Sequence, residues 1–215
     1  MRFHIVTIFP KMFDSYFSES ILARAVAGKK IQIHLYDLRT FSKDKHKKVD
    51  DKPYGGGPGM VMTVDPIVRA VESVLKKISR RKNTKTKVIL FTPEQTPFTT
   101  ALAKTYATTL TDIIMVCGRY EGIDARIKDI LGATELSIGD YVLTGGEIPA
   151  MVLVDCVSRQ IEGVLGDFES LEESRASSHL VYTRPAEYVY KGKTYEVPEV
   201  LQNGNHKEID RWKNK

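Results

Sequence analysis

SIGDYVLTGGEIPA, residues 137–150, is the stretch that says most about the fold and the site. It begins as a strand-like segment, passes through the adjacent Gly145 and Gly146, and reaches Pro149, where the pattern predicts the start of a helix. No Lys, Ser or Thr follows the glycines, so the stretch lacks the residues with which a P-loop binds a triphosphate. We therefore expect a ligand other than a triphosphate to lie close to the backbone here.

Strand-like and helix-like segments alternate on both sides of this stretch. Strand patterns cover 3–9, 31–38, 87–92, 112–118 and 134–143, and helix patterns cover 13–25, 67–78, 98–107, 122–131 and 147–161. Gly28 is placed to end the first helix. Such alternation predicts an α/β fold with a mostly parallel sheet covered on both faces.

Three segments directly follow strand-like runs and contain Gly or Pro: FTPEQ (91–95), VCGRYEG (116–122) and YVLTGGEIP (141–149). Ligands of α/β proteins bind at the carboxyl ends of the strands, so we expect these loops to meet at one crevice. The second segment and the residues after it hold Arg119, Tyr120, Glu121 and Asp124. These side chains either line a site or form a helix-capping turn with surface charges.

The stretch YGGGPGM (54–60) is another glycine-rich segment. It follows a charged loop rather than a strand and lacks the P-loop pattern, which excludes a dinucleotide fingerprint and a P-loop. It is either a flexible loop or a close-fitting backbone surface beside basic residues.

Composition indicates a cytoplasmic protein without a membrane span. The chain has 215 residues, a formal net charge of +5 and apolar runs too short to cross a bilayer. Cys117 and Cys156 show no metal-site spacing and are expected to be reduced core thiols. Two basic clusters, 41–52 and 76–87, the latter with seven basic residues and no acid, favour a nucleic-acid partner over a merely solvated loop.

The character of the chain changes after Ile161, where Gly, Ser and Glu become frequent. We predict one domain at 1–165, a linker at 166–181 and a short module at 182–215. Glu169, Glu172 and Glu173 lie in the linker, near Arg159 in sequence. A carboxylate and an arginine could act as base and anion stabiliser, although a solvated acidic linker is the simpler interpretation. His46, His179 and His206 are expected to be surface hydrogen-bonding groups.

Six fragments together resemble one known family. They are VDDKPYGGGPGM (49–60), VCGRYEGID (116–124), SIGDYVLTGGEIPAM (137–151), VSR (157–159), YTRP (182–185) and GNH..I..W (204–212). In this order they resemble the bacterial tRNA (guanine-N1)-methyltransferases of the SPOUT superfamily. The resemblance covers nearly the whole chain.

The resemblance implies a SPOUT-type parallel sheet with a deep C-terminal trefoil knot and a small, mostly helical C-terminal module. It also implies a homodimer with sites at the subunit interface and S-adenosylmethionine bound in the knot. The implied reaction is methylation of N1 of the guanine at position 37 of tRNA, with Mg²⁺ assisting.

Site residues carry over from the same motifs. Pro93 matches the first knot loop; Gly118, Arg119, Tyr120, Glu121 and Gly122 match the second; Ile138, Gly139, Asp140, Tyr141, Val142, Leu143, Gly145, Gly146 and Pro149 match the third. These residues are implied to hold the cofactor, with Glu121 at its methionine end or at Mg²⁺. Arg159 matches the arginine that steadies guanine O6.

The catalytic base is implied to lie in ESLEESRASS (169–178), where the family has an acid, usually Asp, followed by Ser. Ser174 then places Glu173 at the base position, with Glu172 as the alternative. Two other functions stay open: a non-catalytic RNA-binding protein on the same fold, and a different nucleotide-binding α/β enzyme that the loops alone would permit.

Overall fold

The computed structural model describes residues 1–165 and 180–213. Met1–Leu165 form one compact unit, and the described residues 180–213 belong to a second. The predicted linker 166–181 lies almost wholly outside the described residues, so its boundaries stay a prediction.

The secondary structure of the first unit alternates as the sequence predicted. Its strands are β1 (Arg2–Thr7), β2 (Gln32–Asp37), β3 (Asp50–Asp51), β4 (Val61–Met62), β5 (Thr86–Pro97), β6 (Asp112–Val116) and β7 (Thr134–Ser137). Its helices are α1 (Asp14–Phe17), α2 (Ser20–Ala27), α3 (Val64–Ile78), α4 (Thr100–Thr109), α5 (Arg126–Leu131) and α6 (Glu147–Ser158). Short 3₁₀ helices cover Pro10–Phe13 and Leu38–Phe41.

The central sheet of the described residues has five strands in the order β2-β1-β6-β5-β7. Every neighbouring pair in it is parallel, which confirms the predicted α/β architecture. β6 lies in the middle, and all five of its residues are buried. β3 and β4 form a separate antiparallel pair.

Helices cover both faces of this sheet. Phe3 and Ile5 of β1 pack with α2, α4 and α6 on one face, whereas Val6 packs with α3 and α5 on the other. The predicted helical stripe of α3, Ile67 to Ile78, is buried in the second cluster. This alternation along β1 is the two-residue period of a strand that is buried on both faces.

Three predicted elements differ from the structure. The strand predicted over 87–92, with a loop over 91–95, is β5, which continues to Pro97 through a bulge between Phe91 and Thr96. The helix predicted over 13–25 is interrupted between α1 and α2, where Ser20 adopts a positive φ of 53°. The extended segment predicted over 134–143 ends as a strand at Ser137, because the chain then turns through Gly139, whose carbonyl accepts a hydrogen bond from the Tyr141 N–H at 3.0 Å. Gly28 ends α2 as predicted.

Parallel strands give the sheet two chemically different edges. We call the edge where β1, β2, β5 and β6 begin the amino edge; Arg2 pairs there with Gln32 and with Asp112, and Thr86 with Asp112. We call the opposite edge, where the loops leave β5, β6 and β7, the carboxyl edge.

The second unit contains the hairpin β8 (Glu187–Tyr190) and β9 (Lys193–Glu196), and the helix α7 (His206–Lys213). Tyr182 and Trp212 place their ring centroids 6.1 Å apart. The hairpin makes the described part of this module less helical than expected.

Cys117 and Cys156, both within the described residues, form no disulfide; Cys117 is buried and Cys156 is partly buried. None of the helices in the described ranges is long and apolar enough to cross a membrane.

Candidate functional site

A cavity of about 370 Å³ opens at the carboxyl edge. It is lined by the part of β5 that leads into its bulge, Leu90 to Pro93, and by the loops that follow β6 and β7, so the three predicted segments meet at a single crevice. The predicted site residues among its lining are Pro93, Gly118, Arg119, Tyr120, Glu121, Gly122, Ile138, Gly139, Tyr141, Val142, Leu143, Gly145, Gly146 and Pro149. Asp140 and Arg159 are not among the lining residues.

Gly146 is needed for packing between two of these loops. Its N–H donates to the Gly118 carbonyl at 2.9 Å, and a Cβ atom placed on it would lie 2.7 Å from the Cα of Cys117. Because the contacted atoms are backbone, they cannot move aside without disturbing β6. Gly146 therefore lies close to the protein's own backbone, whereas the sequence predicted that a ligand would lie close to this stretch.

A buried ion pair ties the same two loops together. Glu147, only 1% exposed, is the first residue of α6, and its Oε2 lies 2.9 Å from Nε of Arg119. Its Oε1 accepts a hydrogen bond from the Thr7 hydroxyl at 2.8 Å. The carboxylate therefore links the end of β1, the loop after β6 and the start of α6.

Arg119 contacts further segments of the carboxyl edge. Its Nη1 donates to the Thr144 carbonyl at 3.1 Å, and its guanidinium lies 4.8 Å from the Phe9 ring centroid. Its Nη2 lies 3.2 Å from the Met12 sulfur. With its donors occupied in this way, Arg119 acts inside the protein as a structural group that fixes the loops.

Glu147 is the residue that sequence reasoning missed. It stands in the quoted stretch, between the two glycines and Pro149, yet no role was predicted for it. An acid in the first turn of a helix that is apolar on more than one face signals burial, and a buried carboxylate needs a charged or hydrogen-bonding partner.

The glycine-rich stretch 54–60 has features of both predicted alternatives, the flexible loop and the close-fitting backbone surface. Gly55, Gly56 and Gly57 have open space around them, as a flexible loop would. Gly59, at φ +80°, packs against Glu121, whose carboxylate oxygen would lie 2.4 Å from a Cβ there. The Glu121 N–H donates to the Met60 carbonyl at 3.0 Å, so this end of the stretch fits closely against the second cavity loop.

Tyr120 holds an uncommon backbone conformation in the wall of the cavity. Its φ is +61°, a region that costs a non-glycine residue about 1 kcal/mol or more, and its side chain is 48% exposed. The turn around it is closed by a hydrogen bond from the Gly122 N–H to the Arg119 carbonyl at 3.2 Å. Strain at an exposed aromatic residue in a cavity points to a ligand-binding role.

The predicted catalytic residues are separated from this cavity or lie outside the described residues. Arg159 caps the carboxyl end of α6, whereas Pro149 near the other end lines the cavity. The helical rise from Pro149 to Arg159 is about 15 Å. Glu169, Glu172 and Glu173 fall in the segment that the structure does not describe.

No group of three or more His, Cys, Asp or Glu side chains suited to a metal ion occurs within residues 1–165 and 180–213. Glu121 is one of the acids that line the cavity, together with Asp124 and Glu135. It could supply one oxygen to a Mg²⁺ ion, which commonly keeps several waters and needs only one or two protein carboxylates.

Comparison with known proteins places the chain in a family. The profile described as "tRNA (Guanine-1)-methyltransferase TrmD" matches residues 1–215. A tRNA (guanine-N(1)-)-methyltransferase of Clostridioides difficile is 48% identical over 99% of this chain and 90% of its own length. That of Mycoplasma capricolum is 44% identical over 99% of this chain and 85% of its own.

A solved structure agrees with these relatives. The crystal structure of tRNA (m1G37) methyltransferase from Aquifex aeolicus superposes with a TM-score of 0.79 at 37% identity, covering 100% of this chain and 88% of that one. The family profile and the relatives both extend over the cavity loops and α6. The chain therefore belongs to the tRNA (guanine-1)-methyltransferase family.

Proposed function

We propose that this chain transfers a methyl group from S-adenosylmethionine to N1 of guanine 37 of tRNA. The observation that carries the proposal is the carboxyl-edge cavity, formed by three loops in a member of a family whose relatives bear this activity in their names. We expect the chain to act in the cytoplasm, where tRNA is found.

The cavity suits a nucleoside with a short charged tail. Its volume of about 370 Å³ is that of a small-molecule pocket. We propose that backbone donors and acceptors of Gly118 to Gly122 and Ile138 to Gly146 read the polar edges of a neutral purine. When bound, S-adenosylmethionine supplies an electrophilic methyl group on sulfonium sulfur.

The chain must activate the nucleophile, because guanine N1 carries a proton at neutral pH. We propose that the Glu173 carboxylate, or Glu172 as the alternative, removes this proton. The electron density left on the ring accumulates at O6, where the Arg159 guanidinium stabilises it. These roles follow from the family motif.

The position of Arg159 supports a homodimer. It lies about 15 Å along α6 from Pro149, the residue of this helix that lines the cavity, too far for direct contact with a base bound there. We propose that Arg159 of the partner subunit completes each site. An apolar strip on α6 is exposed to solvent, Ile148 by 50% and Val152 by 39%. It lies beside the half-exposed Tyr16 of α1, whose hydroxyl donates to Asp155. Such a strip is suited to packing against a second copy of the chain.

Mixed dimers test this arrangement. A chain with Gly146→Ala has a damaged cavity and an intact Arg159, whereas a chain with Arg159→Ala has the reverse. Each homodimer is expected to transfer methyl poorly when S-adenosylmethionine is limiting, and co-expression of the two chains to restore activity in one site of the mixed dimer. Absence of restored activity would place Arg159 and the cavity in the same subunit's site.

The finer features of the family complete the proposal. We propose that the three cavity loops form the trefoil knot, since α6 leaves edge strand β7 yet returns across the sheet to bond Thr7 of β1. We further propose that 182–215 is a tRNA-binding module, and that Glu121 provides a carboxylate to Mg²⁺. Glu121→Gln is then expected to raise the Mg²⁺ concentration needed for half-maximal transfer.

The test of the proposed function is transfer of labelled methyl to tRNA transcripts with guanine or adenine at position 37. Transfer only to the guanine transcript is expected, with Glu173→Gln lowering it by about 10²–10⁴-fold while S-adenosylmethionine still binds. If Glu172→Gln has that effect instead, Glu172 is the base. Tight tRNA binding without transfer would make the chain a non-catalytic RNA-binding protein.

A further inference from the structure

We propose that the amino edge of the sheet is a second RNA-contact surface, separate from the cavity, that binds phosphates of the tRNA outside the target loop. The surface, called here the amino-edge basic surface, consists of Arg2, Lys29, Lys30, Lys76, Lys77, Arg80, Lys82, Lys85 and Lys87. Most of these residues belong to the cluster 76–87.

Main-chain contacts bring these separate segments together. The Met1 ammonium donates to the Lys30 carbonyl at 3.2 Å, and the Arg2 N–H donates to the Thr111 carbonyl at 3.0 Å. The Thr111 N–H in turn donates to the Lys85 carbonyl at 2.9 Å. Lysines and arginines from three parts of the chain therefore lie side by side along the edge.

The charge of this surface is not neutralised by acids. Residues 76–87 contain no Asp or Glu. Asp112 lies beneath the surface, fully buried, and is occupied by Nη2 of Arg81 at 2.6 Å and by Nε2 of His4 at 2.9 Å. Arg80, Lys82 and Lys85 are exposed and carry their charge into solvent.

The location separates this surface from the cavity. Along β5 the chain runs from Thr86 at the amino edge to Leu90 at the cavity, about 13 Å at 3.3 Å per residue. The other basic cluster, 41–52, lies on the cavity side, because it follows β2 and leads into the stretch whose Met60 bonds Glu121. A ligand that contacts both clusters must extend past the whole sheet, and a tRNA has the size and the continuous charge to do so.

The side chains favour a nucleic-acid backbone over a membrane surface. Ile78, the only aliphatic residue larger than alanine within 76–87, is buried, so this part of the surface offers no exposed aliphatic side chain to insert between lipids. Exposed lysines and arginines on a turn supply charge without a rigid pocket, which suits phosphate contacts that position an RNA and do not read its bases.

This inference rests on the proposed function in taking tRNA as the polyanion. The test compares Arg80→Gln/Lys82→Gln/Lys85→Gln with the unchanged protein in tRNA binding between 50 and 300 mM salt. The triple variant is expected to bind tRNA about tenfold more weakly at low salt, with a slope of log affinity against log salt that is shallower by about 2. S-adenosylmethionine binding should be unchanged.

A matched pair of single variants controls for charge and folding. Lys82→Gln and Lys104→Gln each remove one exposed lysine, the latter in the middle of α4 and not a member of the amino-edge basic surface. Lys82→Gln is expected to flatten the slope by about 1 and Lys104→Gln to leave it unchanged.

The inference would be overturned if the slope were equal for the triple variant, for Lys104→Gln and for the unchanged protein. It would also be overturned if the triple variant lost binding to anionic vesicles while its tRNA binding stayed intact. Failure of the unchanged protein to bind or methylate tRNA would instead overturn the proposed function.

Discussion

The two edges of the central sheet are built from different chemistry. At the carboxyl edge, glycines let backbones touch, and one buried ion pair, Glu147 with Arg119, holds the cavity loops. At the amino edge, lysines and arginines project into solvent around the buried Asp112. The same strands thus support a site defined by packing at one end and a surface defined by charge at the other.

The difference predicts how each edge responds to change. Packed backbone contacts fail when a single atom is added and are insensitive to salt, whereas exposed charges tolerate substitution and are screened by salt. Each variant below therefore has a counterpart elsewhere in the molecule or at the other edge.

Removing the buried carboxylate is expected to have the largest effect on stability. Glu147→Ala leaves the Arg119 guanidinium without its charge partner and should lower the free energy of unfolding by about 3–4 kcal/mol. Urea denaturation measures this loss. Lys128→Gln, which breaks the exposed pair with Glu135, is the control and should cost much less; equal losses would show that the Glu147 pair has no special role.

Adding one methyl group between the cavity loops is expected to have the next largest effect. Gly146→Ala places a Cβ 2.7 Å from the Cα of Cys117 and should cost about 2 kcal/mol in stability and at least tenfold in S-adenosylmethionine affinity. Calorimetric titration measures the affinity. Gly28→Ala, where φ is negative and the nearest atom is a helix carbonyl at 3.1 Å, should leave cofactor binding unchanged.

Acidification is expected to weaken the amino edge. Burial lowers the pKa of His4 despite its hydrogen bond to Asp112, and burial together with the charge of Arg2 lowers that of His34. The unfolded chain then takes up protons at a higher pH than the folded protein, so stability is full above about pH 6.5 and falls as pH drops below it.

The urea midpoint should accordingly decrease from pH 7.5 to pH 5.5. His34→Gln should make that decrease smaller. A midpoint that rises on acidification would show that these histidines gain protons on folding.

The effect of salt concentration on ligand affinity should differ between the two edges, and it should be smallest for the ligand of the cavity. Raising salt from 50 to 300 mM is expected to change S-adenosylmethionine affinity by less than about threefold, because we propose that backbone groups hold its adenine and salt screens exposed charges most. The affinity for tRNA should fall by 10²-fold or more over the same range. Filter binding and calorimetry compare the two in one buffer series, and a similar decrease for both ligands would remove the distinction.

Sequence patterns were sufficient for the features that depend on local periodicity. The buried stripe of α3 and the three loops meeting at one edge follow from the spacing of apolar residues and from strand polarity. The break between α1 and α2 does not, because the apolar residues keep helical spacing across Ser18 to Ser20 while the backbone leaves the helix.

The pairing of Glu147 with Arg119 was equally invisible, since it joins residues 28 positions apart through a fold that no local pattern specifies. For the catalytic base, Glu173 or Glu172 stays a prediction from the family motif.

A crystal structure with S-adenosylmethionine bound would test most directly whether the carboxyl edge is the methyl-donor site. The account predicts the cofactor in the cavity, with its adenine against the backbone of Ile138 to Gly146 and its methionine end near Glu121. Cofactor density at the amino edge, or anywhere that leaves Gly118 to Gly122 uncontacted, would contradict it.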